Sequence, residues 1–353
     1  MEWKVAASDE AVGLQRAWDL VAARPGAARL CVLRGDRVLL DRWKGCHRDD
    51  LFITFSVSKP FVALCVHLLA DRGLLDLDDP VAAHWPAYAR NGKESITIRH
   101  VLTHRAGVPM SSGSFAGDVL AMADWDRSVR LAERARPRWP VGQVPAYHVL
   151  SYGFILGELV RRVSGRPVEE FLAGELVDPL GLPDLRLGLP AAWWSRRVPL
   201  RAGHPSEVGR RVLFNRRGTR RAVIPAAGIS TTARDLALFY RMLLNGGEGD
   251  GRRVLPAAAI DAARRESCDG ELDRTIQRKV RWGHGFQLGG GSRAMGQTAS
   301  REAFGHNGSS ICNAWCDPSR DLVFAYTTNL ALPRREAVAH QQAVSDAVIA
   351  SCV

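Results

Sequence analysis

Ser56-Val57-Ser58-Lys59 sets a serine hydroxyl and a lysine amine one helical turn apart. Side chains at i and i+3 share a helix face, so the two groups can touch. Serine attacks a carbonyl only when a base removes its proton, and a partly desolvated lysine can be that base. Pro60 is tolerated only in a first helical turn, which predicts a helix starting beside Ser56. The positive end of that helix favours the negative charge an attacking serine develops. The same spacing also arises by chance at solvated helix starts. Only five lysines occur here, at positions 4, 44, 59, 93 and 279, so an accidental pairing is less common than usual.

A working nucleophile needs a second proton-transfer group and donors for the oxyanion. Tyr147 is a candidate for the first, because it follows a Pro- and Gly-containing loop and precedes a helical pattern, where a side chain can overhang a cleft. A nearby ammonium lowers a phenol's pKa. His306 stands in Phe304-Gly305-His306-Asn307-Gly308-Ser309, which reads as a glycine-flanked turn into a strand, open to close backbone approach. Such a strand end can offer an N–H to a developing oxyanion. Taken singly, Tyr147 is better explained by packing and His306 as a surface or packed histidine.

Other chemistries find little support. No Gly-x-Ser-x-Gly elbow, His-Glu-x-x-His or phosphate-cradling Gly-x-x-x-x-Gly-Lys loop occurs. His100 and His104 lack an intervening carboxylate and read as a helix surface. Cys312 and Cys316 have a metal-like spacing without a matching pair, so a strand with two small apolar residues is the better reading. No metal and no cofactor is expected.

The elements that must position these residues can be traced by periodicity. Residues 28–43 alternate around Arg34-Gly35-Asp36-Arg37 as a hairpin, and 51–55 read as an extended approach to the Ser56 helix, which ends at Gly73. From 81 to about 250 the pattern is helical, with helices over 98–104, 152–163 and 236–244. The last begins at Thr232-Ala-Arg-Asp235, which has capping-box spacing. Strand character returns at 285–288, 310–316 and 322–328, and a helix over 335–352 closes the chain. The expectation is an α+β fold: a sheet domain of 1–78 and 270–353 interrupted by a helical domain of 79–269.

Composition is that of an ordinary globular chain of 353 residues, 46% hydrophobic and 24% charged. No apolar run approaches membrane-spanning length, and residues 1–23 read as a surface helix without the apolar centre of a signal peptide. A cytoplasmic protein with no membrane partner is expected, and seven irregularly spaced cysteines agree with reduced thiols. The net charge of +11 comes mostly from dispersed arginines. Its dense stretch, 196–221, lacks any nucleic-acid-binding pattern, so no nucleic-acid partner is expected. It reads as a solvated loop, or more sharply as an attractor of an anionic acyl donor. Trp193, Trp194 and Trp282 could wall an acyl pocket, though packing is the commoner use.

Ser56-x-x-Lys59, Tyr147 and His306-Asn307-Gly308 occur in the order of the serine β-lactamase and penicillin-recognising superfamily. The chain resembles its class C branch, and most of all the family VIII carboxylesterases. Segments 96–109, 152–160, 179–182, 225–230 and 304–308, followed by Asp317-Pro318, extend the likeness over roughly residues 25–350. The resemblance implies a β-lactamase-like fold, with an antiparallel sheet flanked by helices and an inserted helical domain. It further implies Ser56 as acylated nucleophile, with Lys59 and Tyr147 sharing the proton: Tyr147 the base, Lys59 keeping it deprotonated. His306 would orient substrate or tune Tyr147, and the backbone N–H groups of Ser56 and Ser309 would form the oxyanion hole beside Asn307 and Gly308. Two departures favour esters or thioesters over penicillins. Val149 replaces the asparagine of the class C Tyr-x-Asn motif, and His306 replaces the lysine of the third motif. The expected partner is a small-molecule ester or acyl donor, with an anionic acyl carrier as a further candidate. An acyltransferase of the same fold and a weak β-lactamase or D-amino peptidase are the alternatives.

Overall fold

The computed structural model describes residues 14–309 and 311–352, so most of the expected 1–23 surface helix and the start of the 310–316 strand lie outside the described residues. Within them, helix α1 (Gln15–Ala22) leads into β1 (Ala28–Arg34) and β2 (Arg37–Lys44), the expected hairpin. Then follow α2 (Lys59–Asp71), α3 (Phe115–Ala121), α4 (Ser151–Ser164), α5 (Val208–Phe214) and α6 (Ala233–Leu244). Strands β3 (Cys268–Asp273), β4 (Arg278–Trp282), β5 (Gln287–Leu288), β6 (Phe304–Gly308), β7 (Cys312–Asp317) and β8 (Leu322–Thr328) come next, and α7 (Arg334–Ser351) closes the chain.

The strands form one antiparallel sheet in the order β2-β1-β8-β7-β6-β5-β4-β3, and the fold is α+β as expected. The central strands are buried on both faces because successive side chains enter different cores. Leu30 and Val32 of β1, with Phe324 and Tyr326 of β8, pack under α1 and α7. Cys31 and Leu33, with Val323 and Ala325, join the larger core of α2, α4 and α6. Cys312 and Cys316 belong to that larger core as apolar members of β7. Helix α6 lies within the 79–269 stretch, yet it packs on β1, β7 and β8, so the packing departs there from a division at 269. Its Thr232 cap accepts from the Asp235 N–H at 3.1 Å, but the Asp235 carboxylate turns away to the Asp184 N–H. Only half of a capping box forms.

Helix α2 is apolar nearly all round, and residues 59–69 are all buried. It runs through the larger core between α4 and helix 257–264. Ahead of it the short strand Phe52–Ile53 pairs with Ile229–Thr231, and Phe55–Ser58 form a 3₁₀ turn that sets Ser56 just before α2. Ser58 Oγ accepts from the Ile229 N–H at 3.1 Å and meets Thr54 Oγ1 at 3.1 Å, tying that turn to the strand. Strand β6 presses on the same turn. A Cβ built on Gly308 would lie 1.8 Å from the Thr54 carbonyl oxygen, so only glycine permits this approach.

Two outcomes check this packing. Gly308→Ala is expected to cost about 1–3 kcal/mol through overpacking, read as a lower denaturant midpoint; an unmoved midpoint would show that the Thr54 backbone can retreat. On α2, buried His67 donates from Nε2 to the His284 carbonyl at 2.9 Å, and burial pulls its pKa down to about 4. The unfolded chain takes up this proton near pH 6.5 and the folded one near 4, so the associated stability is full above 6.5 and drains as pH falls. At pH 5 the loss from this one group is about 2 kcal/mol. His67→Gln should therefore lose about 2 kcal/mol less than the wild type between pH 7.5 and pH 5 in chemical denaturation; equal losses would mean that folded His67 protonates normally.

Candidate active site

Lys59 Nζ lies 3.3 Å from Ser56 Oγ, as the one-turn spacing predicts. The amine is buried and also reaches the carbonyl oxygens of Val149 at 2.7 Å and Ala226 at 3.3 Å. Ala226 comes this close because α4 carries Gly153 where a Cβ would stand 2.2 Å from the Ala226 nitrogen. Desolvation holds the lysine pKa well below its ordinary value. A neutral amine has two N–H bonds and one lone pair. Val149 and Ala226 accept the two N–H bonds, which leaves the lone pair for the Ser56 hydroxyl.

Tyr147 hydrogen-bonds to Ser56 with its hydroxyl, and its ring lies under the Lys59 amine, 4.7 Å from Nζ to centroid. Burial pushes the phenol above its ordinary pKa, with the Ser56 hydrogen bond opposing. That direction runs against the expected deprotonated Tyr147. Burial disfavours the charged form of both groups, the ammonium of Lys59 and the phenolate of Tyr147. The three groups form one chain, phenol to serine to amine.

The loop that carries Tyr147 is held by residues that periodicity did not single out. The Tyr147 N–H donates to the Asp273 carboxylate at 2.9 Å, where Asp273 caps the β3–β4 turn. His104 adds two contacts: its carbonyl accepts from the Ala146 N–H at 2.9 Å, and its Nδ1 accepts from the His148 N–H at 3.2 Å. His104 is buried under the Tyr147, Tyr152 and Trp282 rings with φ 59°, past the end of helix 98–102, so the helix-surface reading is corrected for His104, while His100 lies half-buried within that helix. The signal for it was weak, since a left-handed histidine in a Thr-His-Arg-Ala-Gly run looks like an ordinary helix end.

His306 lies inside strand β6 rather than in a turn, and behind the site rather than on it. Its ring centroid is 6.2 Å from Tyr147 and 6.0 Å from Trp282, and it is absent from the residues that line the Ser56 cavity. Burial, then the Lys59 charge, pulls its pKa down to about 3, so it is neutral at pH 7. Nδ1 donates to the Asn307 carbonyl at 2.8 Å, and the buried Nε2 has no partner among the described residues. A substrate-orienting role for His306 is not supported; backing Tyr147 and Trp282 is. Asn307 and Ser309 do line the cavity, with Gln287 Nε2 donating to Asn307 Oδ1 at 3.0 Å. Phe55 and Ser309 both hold φ 48°, in the left-handed region, on either side of the site.

The cavity has a volume of about 620 Å³ and sets Ser56 and Tyr147 beside an apolar wall of Phe55, Met122, Val149, Leu213 and Phe214. Of the tryptophans considered, Trp282 lines it. Trp193 and Trp194 instead lie under guanidiniums, Arg197 stacking on Trp194 at 3.8 Å. Segment 196–221 is likewise not a plain loop: α5 walls the cavity, Arg220 is buried, and Arg196 pairs with Asp184. A larger cavity of about 790 Å³ holds no serine or lysine, and its Arg29 is already paired to Asp41 at 2.8 Å.

Known proteins share this architecture. The family model for beta-lactamase matches residues 15–348. The esterase/beta-lactamase LipL of Mycobacterium tuberculosis (strain ATCC 25618 / H37Rv) is 31% identical over 345 residues, covering 88% of this chain and 78% of that protein. The crystal structure of a novel penicillin-binding protein homolog from Caulobacter crescentus superposes with a TM-score of 0.84 at 29% identity, over 99% of this chain and 100% of that one. A family VIII carboxylesterase gives 0.82 at 26% identity, over 97% and 99%. With the serine, the amine and the phenol in contact on this fold, and a family match running nearly end to end, the chain belongs to the beta-lactamase family.

Proposed function

We propose that this protein is a serine hydrolase that cleaves small carboxylic esters through an acyl-enzyme on Ser56. The observation that carries the reading is the contact of Ser56 with both a desolvated amine and a protonated phenol beside a mostly apolar cavity. Kinship with an esterase/beta-lactamase and with a family VIII carboxylesterase supports it.

Lys59 accepts the Ser56 proton as Oγ attacks the ester carbonyl. The N–H groups of Ser56 and Ser309 receive the oxyanion, an interaction for which each donor is typically worth about 3 kcal/mol of barrier. Tyr147 gives its proton to the leaving alkoxide, and the Lys59 ammonium beside the ring restores it, which leaves a neutral amine for the second half. Water then attacks the acyl carbon. Its proton passes to the Lys59–Tyr147 pair as Ser56 Oγ is reprotonated, and the acid leaves. The Val149 carbonyl is committed to Lys59 and its isopropyl group offers no hydrogen bond, which supports ester over penicillin substrates.

Ser56→Ala is expected to abolish p-nitrophenyl butyrate hydrolysis and labelling by a fluorophosphonate; full turnover in that variant would sink the assignment. Lys59→Ala and Tyr147→Phe should each lower kcat at least about 10²-fold, with a double variant little worse than either single one. A Tyr147→Phe change confined to KM would remove its acid role. Because the amine must be neutral to act, kcat/KM should rise with pH through the depressed lysine pKa and be lost as pH falls below it. A rising limb centred near the ordinary lysine value of about 10.4 would contradict a desolvated base.

A further inference from the structure

We propose that the ester this site takes carries an anionic oxygen group remote from its scissile bond, and that Arg278 of β4 and Arg334 at the start of α7 hold that group within the Ser56 cavity. The inference rests on the ester-hydrolase reading and names its substrate class. Four charged side chains line the cavity: Glu207, Arg210, Arg278 and Arg334. Glu207 and Arg210 pair with each other at 3.1 Å. Arg278 and Arg334 make no hydrogen bond or ion pair among the described residues, although both act electrostatically on Tyr147 and on each other. Asp273, the carboxylate that acts on Arg278, already accepts from the N–H groups of Tyr147, Thr275 and Ile276.

Arg278 is half-buried and Arg334 is exposed, and burial followed by the like charge of Arg334 pulls the Arg278 pKa down to about 10. The free enzyme thus holds a local excess of positive charge that an oxyanion would neutralise. Guanidinium forks suit the planar, two-oxygen geometry of a carboxylate. The apolar wall leaves the rest of the substrate hydrocarbon in character, so an amphiphilic ester with one charged end fits both halves.

The test compares substrates of equal length on one enzyme preparation, so that any inactive fraction cancels. On the acyl side the pair is mono-p-nitrophenyl glutarate and p-nitrophenyl valerate. On the leaving-group side it is the butyrate esters of 4-hydroxybenzoate and of 4-hydroxybenzamide. In one of the two arms the wild type should favour the anionic member in kcat/KM by roughly tenfold or more at low salt. That preference should shrink several-fold in about 0.5 M NaCl. Arg278→Gln and Arg334→Gln should each lower the ratio, and the double variant should bring it near one. Should the variants fail to fold, the salt dependence of the wild-type ratio decides alone. Equal turnover or a neutral preference in both arms overturns the anion site while leaving the hydrolase reading intact. No turnover of any ester, with Ser56 unlabelled by a fluorophosphonate, removes both.

Discussion

A lysine amine taken out of water is the constraint around which the site is organised. An ammonium at this depth would need a counter-charge, and the three oxygens around Lys59 Nζ are two carbonyls and a hydroxyl. They come from residues 3, 90 and 167 positions away in the chain. Burial therefore weakens the amine's hold on its proton, and the segments that bring the Val149 and Ala226 carbonyls to it help set its basicity. The same desolvation lowers the Lys59 pKa and raises that of Tyr147, so a single environment shifts the two in opposite senses.

How much of this was written in the sequence depends on how local each feature is. The Ser56–Lys59 contact is one helical turn, and the hairpin 28–44, helix α4 and the pair β7–β8 follow from periodicity over a few residues. Strands β3 and β4 were passed over because they carry little apolar alternation. Cys268-Asp-Gly-Glu-Leu-Asp273 lies at the sheet edge with Asp269, Gly270 and Leu272 exposed, so polarity and glycine hid a strand. That omission concealed Asp273, which anchors Tyr147, and Arg278, which faces the cavity. The direction of the Tyr147 shift is hidden from the sequence for a related reason. Sequence places a lysine near a tyrosine but does not reveal how deeply both are buried, and burial outweighs the pair's mutual charge effect here.

His306 shows the limit of carrying a role by position. It stands where a motif predicts a substrate contact, yet strand β6 turns the ring into the protein, behind Tyr147 and Trp282. The motif's backbone is what reaches the nucleophile. Gly308 lies against Thr54, and the chain then turns sharply at Ser309. Positive charge in the cavity is supplied instead from β4 and α7, elements outside the three motifs.

Helix α5 joins these threads. Phe55 and Ser309 both occupy the left-handed region, at a cost of order 1 kcal/mol each, and such conformations persist only where neighbours hold them. Phe214 packs its ring against Phe55 at 4.6 Å, and Arg210 donates from Nη1 to the Ser309 carbonyl at 3.2 Å. Both holds come from one seven-residue helix, in the stretch that composition alone marks as solvated and basic. Arg210 is in turn fixed by Glu207, one turn earlier. A change anywhere on the inner face of α5 thus bears on the two backbone turns that flank Ser56 before it bears on the apolar wall, and the arginine-rich segment is better understood as a brace for the nucleophile's surroundings than as a reservoir of charge.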